Sequence, residues 1–148
     1  MKNSFRKLKF RGKRVDSGKW VYGAFWDQPQ RYGNHTHIYL EDGDEETEDT
    51  GWVWVDRPTV GQFSGMLDKK GAEIYEGDVL EVVNIKGEKI KVICKFAIVQ
   101  RVIGEWTVDI PSFHFEHENG FKSFPIVENY AGTHDLQMME VVGTIFDK

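Results

Sequence analysis

Short runs of β-branched and aromatic residues, separated by turn signals, constrain the fold of this chain more than any other feature. Lys19–Trp26, His35–Leu40 and Trp52–Val55 are such runs, and Asp16-Ser17-Gly18 is a typical turn between two of them. Runs of this length and composition are typical of β-strands. No segment of useful length has a helical period. The sequence therefore predicts a mostly β fold, a small barrel or sandwich.

The same pattern predicts further strands along the rest of the chain. Ile98–Ile103 either continues the strand before it or starts another. The segment 123–131 is ambiguous, and 134–139 has room for one helical turn. The other predicted strands are Leu8–Arg11, Val60–Phe63, Glu73–Tyr75, Val79–Val83, Lys91–Phe96, Glu105–Val108, Phe113–Glu116 and Val141–Phe146.

Composition excludes several protein classes. With 148 residues, of which 40% are hydrophobic and 14% aromatic, the chain has material for a core and is not expected to be disordered. No apolar run approaches the roughly 20 residues of a membrane helix, and the basic start leads into no signal-peptide core. We therefore expect a soluble cytoplasmic protein with no membrane partner. Cys94 is the single cysteine, which rules out an internal disulfide, and it is expected in the core.

Charge is distributed unevenly around a formal net charge of −5. Basic residues crowd the first 14 positions, and acidic residues crowd the loop from Glu41 to Asp49. Blocks of opposite charge can pair within one molecule or between neighbours in an assembly.

The stretch Met66–Val82, MLDKKGAEIYEGDVLEV, supports two interpretations. Glu73, Glu76 and Asp78 are the carboxylates from which an acid–base pair or a hard-cation site could be built. Gly71, Gly77 and Asp78 are also the residue types that turns require. We favour structural turns at Gly71, Gly77 and Asp78, and predict no catalytic residue.

The histidines raise the question of a metal site. His35 and His37 share one face of a predicted strand, and His114 and His117 lie near a turn with Glu116. Together they could bind zinc or iron. No His-Glu-x-x-His helix is present and no Cys joins them, so we favour two surface pairs that never meet and predict neither a metal nor a cofactor.

Two groups of side chains are candidates for binding a macromolecule. Basic residues interleaved with aromatic ones could grip phosphates and stack bases. Alternation along the strand equally explains the charges as solvated surface. The nucleic-acid-binding candidates are Lys7, Lys9, Arg11 and Arg14.

Trp52 and Trp54 are the self-assembly candidates. They point to one strand face, and Val53 and Val55 point to the other. If the valine face is core, the tryptophan face is an unusually apolar surface, which often marks an interface. The alternative is a sandwich strand that is buried on both sides.

Three segments carry a resemblance to a known family. They are LKFRGKRVDSGKWVYGAF at the start, TVGQFSGMLDKKGAEIYEGDVLEV in the middle and MEVVGTIFDK at the end. In this order they resemble the YopX family of phage and prophage proteins. The resemblance implies an N-terminal β region (1–58), an SH3-like barrel domain (59–148), self-assembly and an origin in a virus or mobile element. It implies no activity.

These observations predict a non-enzymatic phage or prophage accessory protein in the bacterial host cell. It would act through protein–protein contacts, first with its own copies as a homo-oligomer, and then with a host or phage protein. The alternative is a nucleic-acid-binding accessory protein that uses the basic N-terminal strand. A metal-dependent hydrolase that uses the histidines is the enzyme hypothesis.

Overall fold

The structure is a computed structural model, and it describes residues 8–40, 51–84, 86–124 and 138–147. Contacts divide the chain into two compact units, Met1–Gly65 and Met66–Lys148. These units describe the packing, and the domains 1–58 and 59–148 stay a prediction. No helix in the described ranges is long and apolar enough to cross a membrane.

The first unit is built on an antiparallel sheet. Its elements are β1 (Phe10–Lys13), β2 (Trp20–Trp26), α1 (Pro29–Tyr32), β3 (His35–Leu40), β4 (Gly51–Asp56) and β5 (Gly61–Leu67). A 3-10 turn at Arg57–Thr59 precedes β5. The strands follow the order β4-β3-β2-β1-β5, and β5 has β6 (Glu73–Tyr75) as its next neighbour.

Alternation along these strands produces the first core. On β4, Val53 and Val55 are buried, and Trp52 and Trp54, which alternate with them, face outward. The core consists of Val21, Ile38, Leu40, Val53 and Val55. Period-two alternation is what allows one face of each strand to be apolar and buried.

A backbone contact joins the end of β1 to the outer edge of β4. The Val15 N–H donates to the Trp54 carbonyl oxygen over 3.1 Å, and Arg14 forms an isolated antiparallel bridge with Val55. The sheet therefore curves enough for its fourth strand to meet the residues that follow β1.

The second unit contains a five-stranded antiparallel sheet with the order β10-β9-β8-β7-β11. Its core gathers Ile74, Leu80, Val92, Cys94 and Phe115 with two methionines. The remaining elements are β6 (Glu73–Tyr75), β7 (Asp78–Val83), β8 (Lys89–Ile103), β9 (Trp106–His117), β10 (Lys122–Ser123) and β11 (Met139–Thr144).

The mostly β prediction is confirmed, and the SH3-like barrel stays a prediction. One detail of the predicted strands was wrong. The predicted strands Glu105–Val108 and Phe113–Glu116 lie, apart from Glu105 in the preceding turn, on one strand, β9, because it pairs without interruption with β8 from His117 to Trp106. Helix α1 was also missed, since four residues cannot show a helical period. The acidic loop at 41–50 and most of 123–139 lie outside the described residues.

Candidate functional site

The carboxylates of the Met66–Val82 stretch hold the backbone in place. Asp68 is buried, and its Oδ1 accepts hydrogen bonds from the amides of Lys70 (2.8 Å) and Ala72 (2.9 Å). Its Oδ2 accepts from the Val141 amide of β11 over 2.9 Å. Asp78 is fully buried, and its Oδ2 accepts from the Tyr75 amide over 2.7 Å. Carboxylates bonded to amides in this way shape turns.

Glycine is required at both positions that the sequence singles out. Gly71 has φ +83° and Gly77 has φ +91°, a region that side chains with a Cβ rarely adopt. A Cβ at Gly71 would meet nothing within 4 Å, whereas a Cβ at Gly77 would lie 3.0 Å from Cε2 of Phe146. The turn interpretation therefore fits the geometry of these glycines.

We expect Gly77→Val to lower the free energy of unfolding by about 2 kcal/mol, because it adds backbone strain and crowds Phe146. Gly71→Val, which adds only the strain, should cost about 1 kcal/mol. Urea unfolding followed by tryptophan fluorescence measures both. Glu76→Gln is the control and should stay within about 0.5 kcal/mol of wild type. A Glu76→Gln protein of full stability that has lost its biological activity would contradict the turn interpretation.

The basic candidates of the N-terminal strand are mostly occupied. Arg11 is buried, with its guanidinium carbon 4.4 Å from the ring centre of Trp20. Arg14 is also buried, and its Nε and a terminal nitrogen donate to the two Asp16 carboxylate oxygens, each over 2.8 Å. Lys9 is half-buried beside Tyr22, and Lys7 lies outside the described residues. Both arginines therefore offer little surface to a phosphate.

Trp52 and Trp54 lie on the outer face of β4, with exposed fractions of 49% and 45%. Strand pairing places His37 opposite Trp54 and Tyr39 opposite Trp52. Burial lowers the pKa of His37, so its ring is neutral at physiological pH. We call this surface the aromatic face; its rings are in mutual contact and belong to Trp26, Tyr32, His37, Tyr39, Trp52 and Trp54.

A pocket of about 490 Å³ opens beside the aromatic face. It is lined by Trp52, Val53 and Trp54 of β4, by His35, and by the three residues that follow β1, Arg14, Val15 and Asp16. Asp16 is exposed. The hydrogen bonds from Arg14 hold the pKa of Asp16 at about 2, so the carboxylate is ionised at physiological pH.

The histidines do not form a metal site within the described ranges. His35 and His37 share a strand face, and His35 lies 3.7 Å from Asp56. His114 and His117 are three residues apart on β9 and therefore point to opposite faces. Among the residues that the structure describes, no three His, Cys, Asp or Glu side chains cluster around a common point.

Sequence reasoning missed the most exposed apolar feature of the described residues. Between residues 96 and 113, strands β8 and β9 pair with each other and form a two-stranded ribbon. In the described pairings, β7 pairs with β8 only at Lys89–Ile93, and β10 pairs with β9 only at Phe115 and Glu116. Large apolar side chains on this ribbon are exposed: Ile98 (71%), Val102 (74%) and Trp106 (76%). Splitting β9 into two predicted strands hid this feature, although a Gly104–Glu105 turn between two long apolar runs could have revealed it.

The two edges of the ribbon differ. The His117 amide donates to the Phe121 carbonyl oxygen, on the side of β9 that faces away from β8. Every second residue of a strand presents its backbone groups to the same side. Pro111 is an even number of residues from His117 and therefore also presents its backbone to this outer side. Proline has no N–H, which interrupts the outer edge of β9 without costing a bond to β8. On β8, the Cys94 carbonyl accepts from the Gly77 amide on the side away from β9. By the same alternation, the amides and carbonyls that point to this outer side belong to Phe96, Ile98, Gln100 and Val102.

Comparison with known proteins supports one family. A search of the curated proteins found no match. The family model described as YopX protein matches residues 9–148, nearly the whole chain. This match indicates a phage-type accessory protein and assigns no activity. The chain belongs to the YopX family.

Proposed function

We propose that this protein is a phage accessory protein that works through protein–protein contacts, first with copies of itself, and that the open edge of β8 is the contact. The observation that carries the proposal is that Ile98 and Val102 have exposed side chains and present their backbone groups to the side of β8 where the pairings of the described residues give them no neighbour. Water is an unfavourable environment for the side chains, and a strand edge of this kind is a template for another strand.

The β8 edge of a second copy fits this surface. Two β8 edges in antiparallel pairing would satisfy the outward amides and carbonyls of both copies and bring their apolar side chains together. Five large apolar side chains of the ribbon are between 45% and 76% exposed in each copy, so pairing would remove part of their surface from water on both faces of the ribbon. They are Phe96, Ile98, Val102, Ile103 and Trp106.

Ile98→Lys is expected to weaken self-association at least tenfold, because a charged side chain on a strand edge opposes pairing with another strand. Sedimentation velocity over a range of protein concentrations measures this change. Phe121→Lys is the matched control, since Phe121 is also a large exposed apolar residue but lies outside the ribbon. A wild-type protein that sediments as a monomer at high micromolar concentration would refute the proposal.

Trp52 and Trp54 stay predicted contributors to the same assembly. Trp54→Ala, measured in the same series, shows whether the aromatic face also takes part. If Trp54→Ala dissociates the protein and Ile98→Lys does not, the assembly surface is the aromatic face and the ribbon proposal is wrong.

Nucleic-acid binding is the second candidate. The observation in its favour is that Lys9 and Lys13 lie over the rings of Tyr22 and Trp20, at 5.4 and 5.3 Å from the ring centres, which places cations next to stacking surfaces. The burial of Arg11 and Arg14 weighs against it. A gel shift at low and moderate salt tests it, because phosphate contacts weaken steeply as salt rises.

A further inference from the structure

The pocket beside β4 lies along a strand edge that is partly free. The Val15 amide bonds to the Trp54 carbonyl, so the backbone of Trp54 points to the outer edge of β4. Residues two apart on a strand present their backbone groups to the same side, which places the amide and carbonyl of Trp52 on that edge. Among the described residues, the strand pairings give Trp52 no neighbour on this side. One further strand segment can therefore pair there.

The charges in the pocket favour a cation. The buried guanidinium of Arg14 donates two hydrogen bonds to the Asp16 carboxylate, whereas the Asp16 side chain is 66% exposed. Ser17 also donates to this carboxylate. The two carboxylate oxygens together offer about four acceptor sites, and the exposed side of Asp16 can therefore accept from a further donor while it holds Arg14. Asp56 does not line the pocket, but its carboxylate lies 3.7 Å from the ring nitrogen of His35, which does.

The pocket walls favour the same chemistry. Trp52 and Trp54 line it, and both residues are about half exposed. Indole is the aromatic ring that attracts lysine and arginine side chains most strongly. A volume of about 490 Å³ accommodates a long side chain together with part of its backbone.

We propose that this pocket binds an extended peptide segment that pairs with β4 at Trp52 and places a lysine or arginine side chain against the indole rings and Asp16. Backbone pairing supplies part of the affinity, and the pocket selects the side chain. An acidic peptide would be repelled by Asp16 and Asp56. An apolar peptide would gain the indole contact and leave the carboxylate unused.

The test uses the full chain and three acetylated, amidated hexapeptides. They share an alternating Thr-Val background and differ at one central position, which is Lys, Glu or norleucine. A fourth peptide keeps Lys and carries one N-methyl group on a central amide, which blocks backbone pairing. Isothermal titration at moderate salt measures the four affinities. We expect the Lys peptide to bind at least tenfold more tightly than the Glu peptide, and we expect N-methylation to abolish binding.

Protein variants locate the site. Asp16→Asn should weaken binding of the Lys peptide about threefold to tenfold, the range for a partly exposed charge contact. Trp52→Ala should weaken it about tenfold, through the lost ring contact. Asp16→Asn also removes the charge that neutralises buried Arg14 and can lower stability, so the melting curve of this variant is measured alongside. Trp52→Ala and the peptide series leave the Arg14–Asp16 pair intact. Tyr22→Ala is the control: it removes an exposed aromatic residue that does not line the pocket.

The outcomes separate this proposal from the proposed self-assembly. Ile98→Lys should leave the affinity for the Lys peptide unchanged, whether or not it dissociates the protein. Equal affinities for the Lys and Glu peptides, or no binding of any peptide at millimolar concentration, would overturn the peptide site. Tighter binding of the norleucine peptide than of the Lys peptide would show an apolar partner and would also overturn it. If affinity for the Lys peptide falls as protein concentration rises, a second copy occupies the pocket and the proposal is wrong.

Discussion

The Gly23→Ala variant is expected to lose about 3 kcal/mol or more of stability, at the upper end of the cost of overpacking. Gly23 lies on β2 beside the place where pairing with β3 begins, opposite Phe10 of β1. A Cβ at this position would overlap the carbonyl oxygen of Tyr39 and lie 3.2 Å from Cγ2 of Ile38. Backbone cannot move aside as a flexible side chain can, so β2 and β3 would have to separate. Urea unfolding measures the change.

Gly18→Ala is the matched control for this prediction. Gly18 has φ +71°, and a Cβ there would meet nothing within 4 Å. The control variant should cost only about 1 kcal/mol, which is the strain of a left-handed residue. If the two alanine variants are equally stable, the close approach of β2 and β3 is not as the structure shows.

Removing the Asp68 carboxylate is expected to have the second largest effect. Its oxygens accept three backbone hydrogen bonds, and one of these ties the turn after β5 to Val141 of β11. Asp68→Ala should cost about 3 kcal/mol, since each hydrogen bond to a charged group is worth roughly 1.5 kcal/mol or more and the cost is partly offset by water. Asp68→Asn should cost less, because one oxygen remains. Faster amide hydrogen exchange at Val141 would locate the loss, and unchanged exchange there would contradict it.

The same carboxylate makes stability depend on pH. Burial acts to raise the pKa of Asp68, but hydrogen bonds from the amides of Val141, Ala72 and Lys70 outweigh it, so the pKa lies below its usual value of 3.8. The unfolded chain therefore takes up this proton first as pH falls. The stabilisation is complete above pH 3.8 and is lost as pH falls from there through the folded pKa. The difference in stability between wild type and Asp68→Asn should shrink over that interval, and a constant difference would contradict the prediction.

Much of the fold follows from local pattern. β3 has the predicted bounds, because six residues with alternating burial lie between clear turn signals. The outward face of Trp52 and Trp54 followed from the burial of Val53 and Val55. The lengths of β8 and β9 did not follow, since Pro111 and the polar residues near the ribbon tip suggest breaks. A proline is tolerated at position 111 because its missing N–H would point away from β8, and this follows only once the pairing of β9 with β8 is known.

The interaction surfaces were harder to predict than the strands. Alternation assigned Arg11 to a solvated face, but side chains from neighbouring strands bury it beside Trp20. The pocket that Arg14, Val15 and Asp16 form with β4 depends on the curvature that brings the end of β1 to β4. Curvature is a property of the whole sheet, and no single residue of the sequence indicates it. The pocket therefore could not be predicted from residue spacing.

Pro111 has a consequence for the size to which an assembly of this protein can grow. A ribbon with two open edges could accept a neighbour on each side, and the chain of neighbours would continue as a fibre. Here one edge is interrupted, so a ribbon that pairs through β8 has no equivalent edge left for a third copy. Pairing of this isologous kind closes on itself. In the proposed assembly, one proline would thus make the difference between a complex of fixed size and an open-ended polymer.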